Sequence, residues 1–181
     1  MSRKSIIVIL ALIGIGAVVL IVGLRGISDA TKAETGPTES SLIPPFTPTK
    51  APAITGETIT GEPFDLADYE GKPIILNFWA SWCGPCRREI PAIAAFAKSH
   101  PEIQVLGVDY LDEVPDAAAF AKANGATWPS VVDDGPIGSR YKVPGLPTTF
   151  LINSQGQIVE RILGEVTEPI LEARVKAMTE Q

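Results

Sequence analysis

The chain has 181 residues, 45% of them hydrophobic, and carries a formal net charge of −6, which supports one domain with a substantial core once tails are allowed for. An acidic balance argues against nucleic acid as a partner, because phosphate binding needs a basic face. The two cysteines are too few for a disulfide-stapled scaffold, and their number leaves the redox compartment open.

From Ile6 to Leu24 the chain contains only apolar residues and glycine, preceded by Arg3 and Lys4. At about 1.5 Å per residue this run is just long enough to cross a bilayer core of roughly 30 Å. A removable signal peptide would have an apolar stretch of about 7–15 residues and a small-residue cleavage site. The candidates for such a site are Ser28-Asp29-Ala30 and Thr31-Lys32-Ala33, both weak, so residues 1–27 are read as an uncleaved transmembrane anchor. No cysteine follows the run directly, which excludes lipoprotein processing. Arg3 and Lys4 keep the N-terminus inside the cytoplasmic membrane and put the C-terminal bulk on its outer side, with Arg25 opposing only weakly. Residues 28–52, rich in Thr, Ser, Glu and Pro, read as an extended tether to a domain over 53–181, with its far end, from Phe46, already lying on that domain.

Ala53 to Leu66 shows two short strand signals around turns at Thr60-Gly61 and predicts a β-hairpin. Tyr69-Glu70-Gly71-Lys72-Pro73 is a turn into Ile74 to Trp79, a run apolar on both faces except at Asn77, as expected of a central strand covered on both sides. Pro85 to Ser99 reads as an amphipathic helix with Ile90, Ile93 and Phe96 on its apolar stripe, and Pro91 inside it predicts a kink. His100 closes that helix as a solvated residue favourable to its dipole. Ile103 to Tyr110 is a second buried strand, Asp112 to Asn124 a helix capped by Gly125, and Ser130 to Val132 a short strand. After a turn or short helix at Gly138 to Tyr141 come a strand from Thr148 to Ile152, a turn at Asn153-Ser154-Gln155-Gly156 and a partner strand from Ile158 to Leu163. Thr167 opens a last helix running to about Met178. This alternation predicts an α/β sandwich with a mixed central sheet.

The chemistry gathers at Trp82-Cys83-Gly84-Pro85-Cys86. A structural zinc site needs four ligands, usually Cys or His, and beyond the two cysteines the chain offers only His100. Covalent haem attachment needs His after the second cysteine, where Arg87 stands. A copper chaperone would need further soft or imidazole ligands. A structural disulfide closing so small a loop would stabilise little. The reading that remains is a redox-active dithiol/disulfide, with no other cofactor and no metal. Cys83, at the helix N-terminus, is the expected solvent-reachable nucleophile, favoured as thiolate by unpaired N–H groups and the helix dipole. Cys86, one turn further in, is the expected buried resolving thiol.

The stretch Asn77 to Cys86, with Glu89 and Pro91 beyond it and Gly145-Leu146-Pro147-Thr148-Thr149-Phe150 later, resembles the membrane-anchored thioredoxin-like proteins of the TlpA/ResA type. The resemblance covers Ala53 to about Met178. It implies a thioredoxin fold with an N-terminal hairpin and an inserted helix and strand over Asp112 to Val132. It also implies thiol–disulfide exchange outside the bacterial cytoplasmic membrane, often reducing apocytochrome c, with electrons returned by a membrane-embedded thiol carrier. Pro147 matches the family's cis-proline, and a cis turn there would present the Leu146 backbone to a bound peptide. Trp82, Leu146 and Pro147 are thus the expected substrate-binding residues, and Trp79 is either a shield of the site or core. Asn77 departs from cytoplasmic thioredoxin, which has a buried Asp at that strand position. Glu89 matches an acidic residue of the TlpA/ResA type, lies three residues after Cys86 on the helix, and is either a proton acceptor for that thiol or a solvated surface residue.

Peroxide reduction would need Pro and Thr where Leu76 and Ala80 stand. The expectation is a reductase of exported proteins, because Gly84-Pro85 is the pair found in reducing thioredoxin. A tethered disulfide oxidase and a redox-silent binding module are the alternatives.

Overall fold

The structure, a computed structural model, describes residues 47–180. The expected anchor at residues 1–27 and most of the expected tether lie outside the described residues. Among those described, no helix is long and apolar enough to cross a membrane.

The strands are β1 (Thr49–Lys50), β2 (Thr55–Glu57), β3 (Pro63–Asp65), β4 (Ile74–Trp79), β5 (Gln104–Tyr110), β6 (Ser130–Asp133), β7 (Thr148–Ile152) and β8 (Gln157–Leu163). The helices are α1 (Gly84–Ser99), α2 (Val114–Ala123), α3 (Pro136–Tyr141) and α4 (Glu168–Thr179), with a 3₁₀ turn at Leu66–Tyr69. Six strands form one mixed sheet in the order β1-β8-β7-β4-β5-β6, and β2-β3 form the expected hairpin. β4 pairs parallel with β5 and antiparallel with β7, so it is the central strand that its apolar run predicts. The thioredoxin-like α/β fold follows from this arrangement.

Side chains alternate across the sheet and divide the core in two. Ile75, Trp79, Val105 and Leu151 point to one face, under Ile90, Ile93 and Phe96 of α1 and Leu171, Val175 and Met178 of α4. Ile74, Leu76, Phe78, Leu106 and Phe150 point to the other, under Ile137 and Tyr141 of α3 and Ile54 and Phe64 of the hairpin. Both helical layers are needed because a strand apolar on both faces cannot leave either one in water.

Two features refine the sequence reading. Thr49 and Lys50 pair with Ile158 and Gln157 at the sheet edge, upstream of Ala53, and the Tyr141 hydroxyl donates to Pro52 O at 2.7 Å. A two-residue strand of polar residues carries no alternation to read; its position is set by the partner strand. The helix expected from Asp112 begins at Val114, with Pro115 in its first turn, because the Asp112 carboxylate is used elsewhere. His100 is half-buried rather than solvated: it stacks on Phe96 at 4.2 Å and its Nε2 lies 3.3 Å from Glu172 Oε2 of α4.

Candidate active site

The site is built where β4 runs out and α1 begins. Cys83 is the N-cap of α1, in extended conformation, and Pro85 occupies the first turn where its missing N–H costs nothing. The Cys86 N–H donates to Cys83 Sγ at 3.2 Å, so an end-of-helix amide points at the first sulfur. The two cysteines are joined as a disulfide, with their Cα atoms 5.2 Å apart. Cys86 is fully buried, as expected of a resolving thiol. Cys83 is the outer of the two yet only 5% exposed, which corrects the expectation of an open, solvent-reachable sulfur. It is packed into the same cluster as Trp79, Ala80 and Cys86, and Leu146 packs against that cluster as a whole. The exposure falls on its neighbour Trp82, which is 61% exposed.

Glu89 is not a solvated surface residue. It is 0% exposed, one helical turn from Cys86 on the buried side of α1. Its two oxygens are taken by different parts of the fold: Asn77 Nδ2 donates to Oε1 at 2.9 Å, and the Val166 N–H donates to Oε2 at 2.9 Å. Burial pushes the Glu89 carboxyl up to about 7, the two donors pull it down, and the charge of Glu165 adds to the rise. Asn77 also donates to Thr149 Oγ1 at 3.0 Å. Asn77 is therefore the strut that ties the central strand to both Glu89 and β7, and its amide oxygen is left without a partner.

The Leu146–Pro147 peptide is cis. Leu146 packs against both core clusters, the Thr148 hydroxyl donates to Gly145 O at 2.7 Å, and the Gly164 N–H donates to Pro147 O at 3.0 Å. Trp79 is fully buried core. Sequence reasoning missed the grip on the segment before Cys83. Asp112 accepts hydrogen bonds from both the N–H and the hydroxyl of Ser81, Trp82 Nε1 donates to Leu111 O at 3.0 Å, and Arg87 Nη1 donates to Ser81 O at 3.0 Å. It also missed Asp109, a fully buried carboxyl in β5. The signal was present in Asp109 itself, an acid inside a strand read as buried.

Comparison with known proteins agrees with this geometry. The AhpC/TSA family matches residues 48–161. The thiol-disulfide oxidoreductase ResA of Bacillus thuringiensis is 35% identical over 134 residues, covering 72% of this chain and 77% of its own. Among solved structures, DsbF of Mycobacterium tuberculosis superposes with a TM-score of 0.65 at 31% identity, over 69% of this chain and 94% of that one. StoA of Bacillus subtilis superposes with a TM-score of 0.59 at 30% identity, over 71% and 97%.

Proposed function

The chain belongs to the AhpC/TSA family and is a thioredoxin-like thiol–disulfide oxidoreductase, and from that premise we propose that it works as a reductase of exported proteins through Cys83, Cys86 and Glu89. The observation that carries this reading is the layout of α1: a sulfur at the N-cap, a second sulfur sealed one turn below, and a buried carboxyl one turn below that.

In the reduced protein the Cys83 thiolate, held by the helix N-terminus, attacks one sulfur of a substrate disulfide and expels the other as thiolate. Cys86 then passes its proton to Glu89 and attacks Cys83 Sγ. This releases the second substrate thiolate and leaves the Cys83–Cys86 disulfide, so two electrons have moved to the substrate. Trp82, Leu146 and Pro147 line the approach to Cys83 and receive the substrate chain. No cofactor beyond the dithiol is needed for these steps. A membrane-embedded thiol carrier would return the electrons, and Ile6 to Leu24 would hold the domain on the outer side of the cytoplasmic membrane. The resemblance to the TlpA/ResA type supports apocytochrome c as a substrate.

Cys83→Ser is expected to abolish exchange, while Cys86→Ser accumulates a mixed disulfide with the substrate, read as a reductant-sensitive adduct on gels. Adducts formed by Cys83→Ser and not by Cys86→Ser would reverse the two roles. The direction of flow is read from the redox potential of the protein against glutathione: a value well below that of the glutathione pool supports the reductase, and one well above it the oxidase.

A further inference from the structure

The turn between β5 and α2 holds the segment ahead of Cys83 at two points, through Asp112 on Ser81 and Leu111 O on the Trp82 indole. Leu111 has a φ of 53°, a left-handed conformation that strains a non-glycine residue. The contacts to Ser81 and Trp82 help to hold the turn in a shape that its own backbone disfavours.

Behind this turn lies Asp109. It is 0% exposed, and its carboxyl faces that of Asp112 within hydrogen-bond reach, a bond that only a protonated acid can donate; no N–H or hydroxyl donor among the described residues reaches either of its oxygens. It stands opposite Trp79 in the β4–β5 register, on the α1 side of the sheet. Trp79 Nε1 and Ser130 Oγ converge nearby: a Cβ on Gly107, two residues before Asp109 on the same side, would collide with Ser130 Oγ and lie 2.8 Å from Trp79 Nε1. Neither of these two polar atoms has a partner among the described residues. The charged groups around this pocket of polarity are mostly acidic. Asp112, Glu113 and Asp116 come from the turn and the start of α2. Asp133, at the end of β6, stands opposite Tyr110 in the β5–β6 register and so faces the other side of the sheet, where its oxygens accept the Gly135, Ile137 and Gly138 amides. Arg87 of α1 is engaged on Ser81 O and lies over the Phe120 ring at 4.9 Å.

We propose that Asp109 is a proton-controlled positioning residue: neutral, it lets Asp112 hold Ser81 and Trp82 in place, and ionised, it loosens that hold. A neutral acid is the form that a dry site without a cation tolerates. Loss of its proton to solvent places a second negative charge beside Asp112, and the two carboxylates repel at short range in a poorly screened setting. Asp112 is the movable partner, because it lies in the turn and its other attachment is a strained backbone. Burial and the neighbouring Asp112 raise the Asp109 carboxyl to about 7, so the change falls near neutral pH. Trp82 would be ordered for substrate below that point and freer above it. This consequence for substrate rests on the exchange reading above; the clamp itself does not.

The test is hydrogen exchange at the Ser81 amide together with Trp82 side-chain NMR, on the full-length protein in its disulfide form and without turnover. Between about pH 5.5 and 8.5, Ser81 protection, corrected for the intrinsic pH dependence of exchange, should fall at least roughly tenfold, which corresponds to about 1.4 kcal/mol. Asp109→Asn should hold protection constant across the range, Asp112→Ala, which removes both acceptor oxygens, should lose it throughout, and Glu89→Gln should leave the transition in place. A carboxyl NMR titration of Asp109 in the unmutated protein should share the midpoint of the Ser81 change, which keeps the test open if Asp109→Asn folds poorly. Flat protection in the unmutated protein, a transition that persists in Asp109→Asn, or a midpoint unrelated to Asp109 would each overturn the proposal. Because disulfide exchange is not measured, failure here is separate from failure of the reductase reading.

Discussion

Glu89 shows how a single residue can be both buried and chemically available. A carboxyl at 0% exposure would ordinarily be held neutral, but the donors from Asn77 and Val166 stabilise its anion and the balance leaves it near 7. A group poised there can take a proton from Cys86 and return it at the pH of the surroundings. Glu89→Gln should fold, and Asn77 is the reason. The new amide would set a donor against Asn77 Nδ2, but rotating the Asn77 amide offers its unpartnered oxygen instead, and the Thr149 hydroxyl can turn to donate. Turnover should fall on the order of 100-fold, and the pH profile of Cys86 alkylation in the reduced protein should lose its inflection near neutrality. Unchanged turnover and an unchanged profile would remove Glu89 from the mechanism. The cysteines and the position of Glu89 relative to Cys86 were legible because both depend on spacing within one helix. What seals Glu89 was not, since Val166 lies 77 residues away along the chain and only the folded β8–α4 link brings its amide back.

At the scale of elements the same rule separates what could be read from what could not. β4, β5, β7 and the hairpin were legible because alternation, apolar runs and turn residues lie inside each segment. β1 and the late start of α2 were not, because one depends on an edge that β8 provides and the other on Asp112 reaching back to Ser81. The join of α1 to α4 adds a long-range device of its own. Arg88 Nε and Nη2 both lie 2.8 Å from Glu165 Oε2, and Glu165 adjoins the Val166 amide that binds Glu89. Arg88 is 63% exposed and Glu165 34%, so this pair adds little stability; its effect is electrostatic and local. The charge of Glu165 raises the Glu89 carboxyl, and Arg88 partly cancels that charge. Glu165→Gln should therefore move the alkylation inflection to lower pH and Arg88→Gln to higher pH, each by a few tenths of a unit and less at high salt. Two shifts of the same sign would mean that the pair acts only by holding the loop.

Across the whole molecule, two carboxyls on the α1 side of the sheet give the domain an unusual response to pH. Glu89 and Asp109 both rise to about 7 from ordinary values of 4.5 and 3.8. In the window between those values and 7 the folded chain binds more protons than the unfolded one, so the free energy of unfolding must fall as pH rises. The stabilisation is present below about pH 4, declines through the window, and is gone above the folded-state values. Each carboxyl contributes a slope approaching about 1.4 kcal/mol per pH unit while its unfolded form is ionised and its folded form is not. The net charge of −6 works in the same direction, since self-repulsion of the compact state grows as further carboxyls ionise. The surface pairs Arg174–Glu160 and Lys176–Glu180, at 3.2 and 3.8 Å, oppose it only slightly, because exposed pairs are worth at most about 1 kcal/mol. The disulfide form should therefore melt at a higher temperature near about pH 5 than near pH 8. Glu89→Gln and Asp109→Asn should each remove part of that difference, and the double variant most of it, because each replaces a buried acid by a group that does not ionise. Calorimetric scans of the four proteins at both pH values decide the matter: a melting temperature that is level or rising toward pH 8 in the unmutated protein would mean that neither carboxyl holds its proton in the folded state.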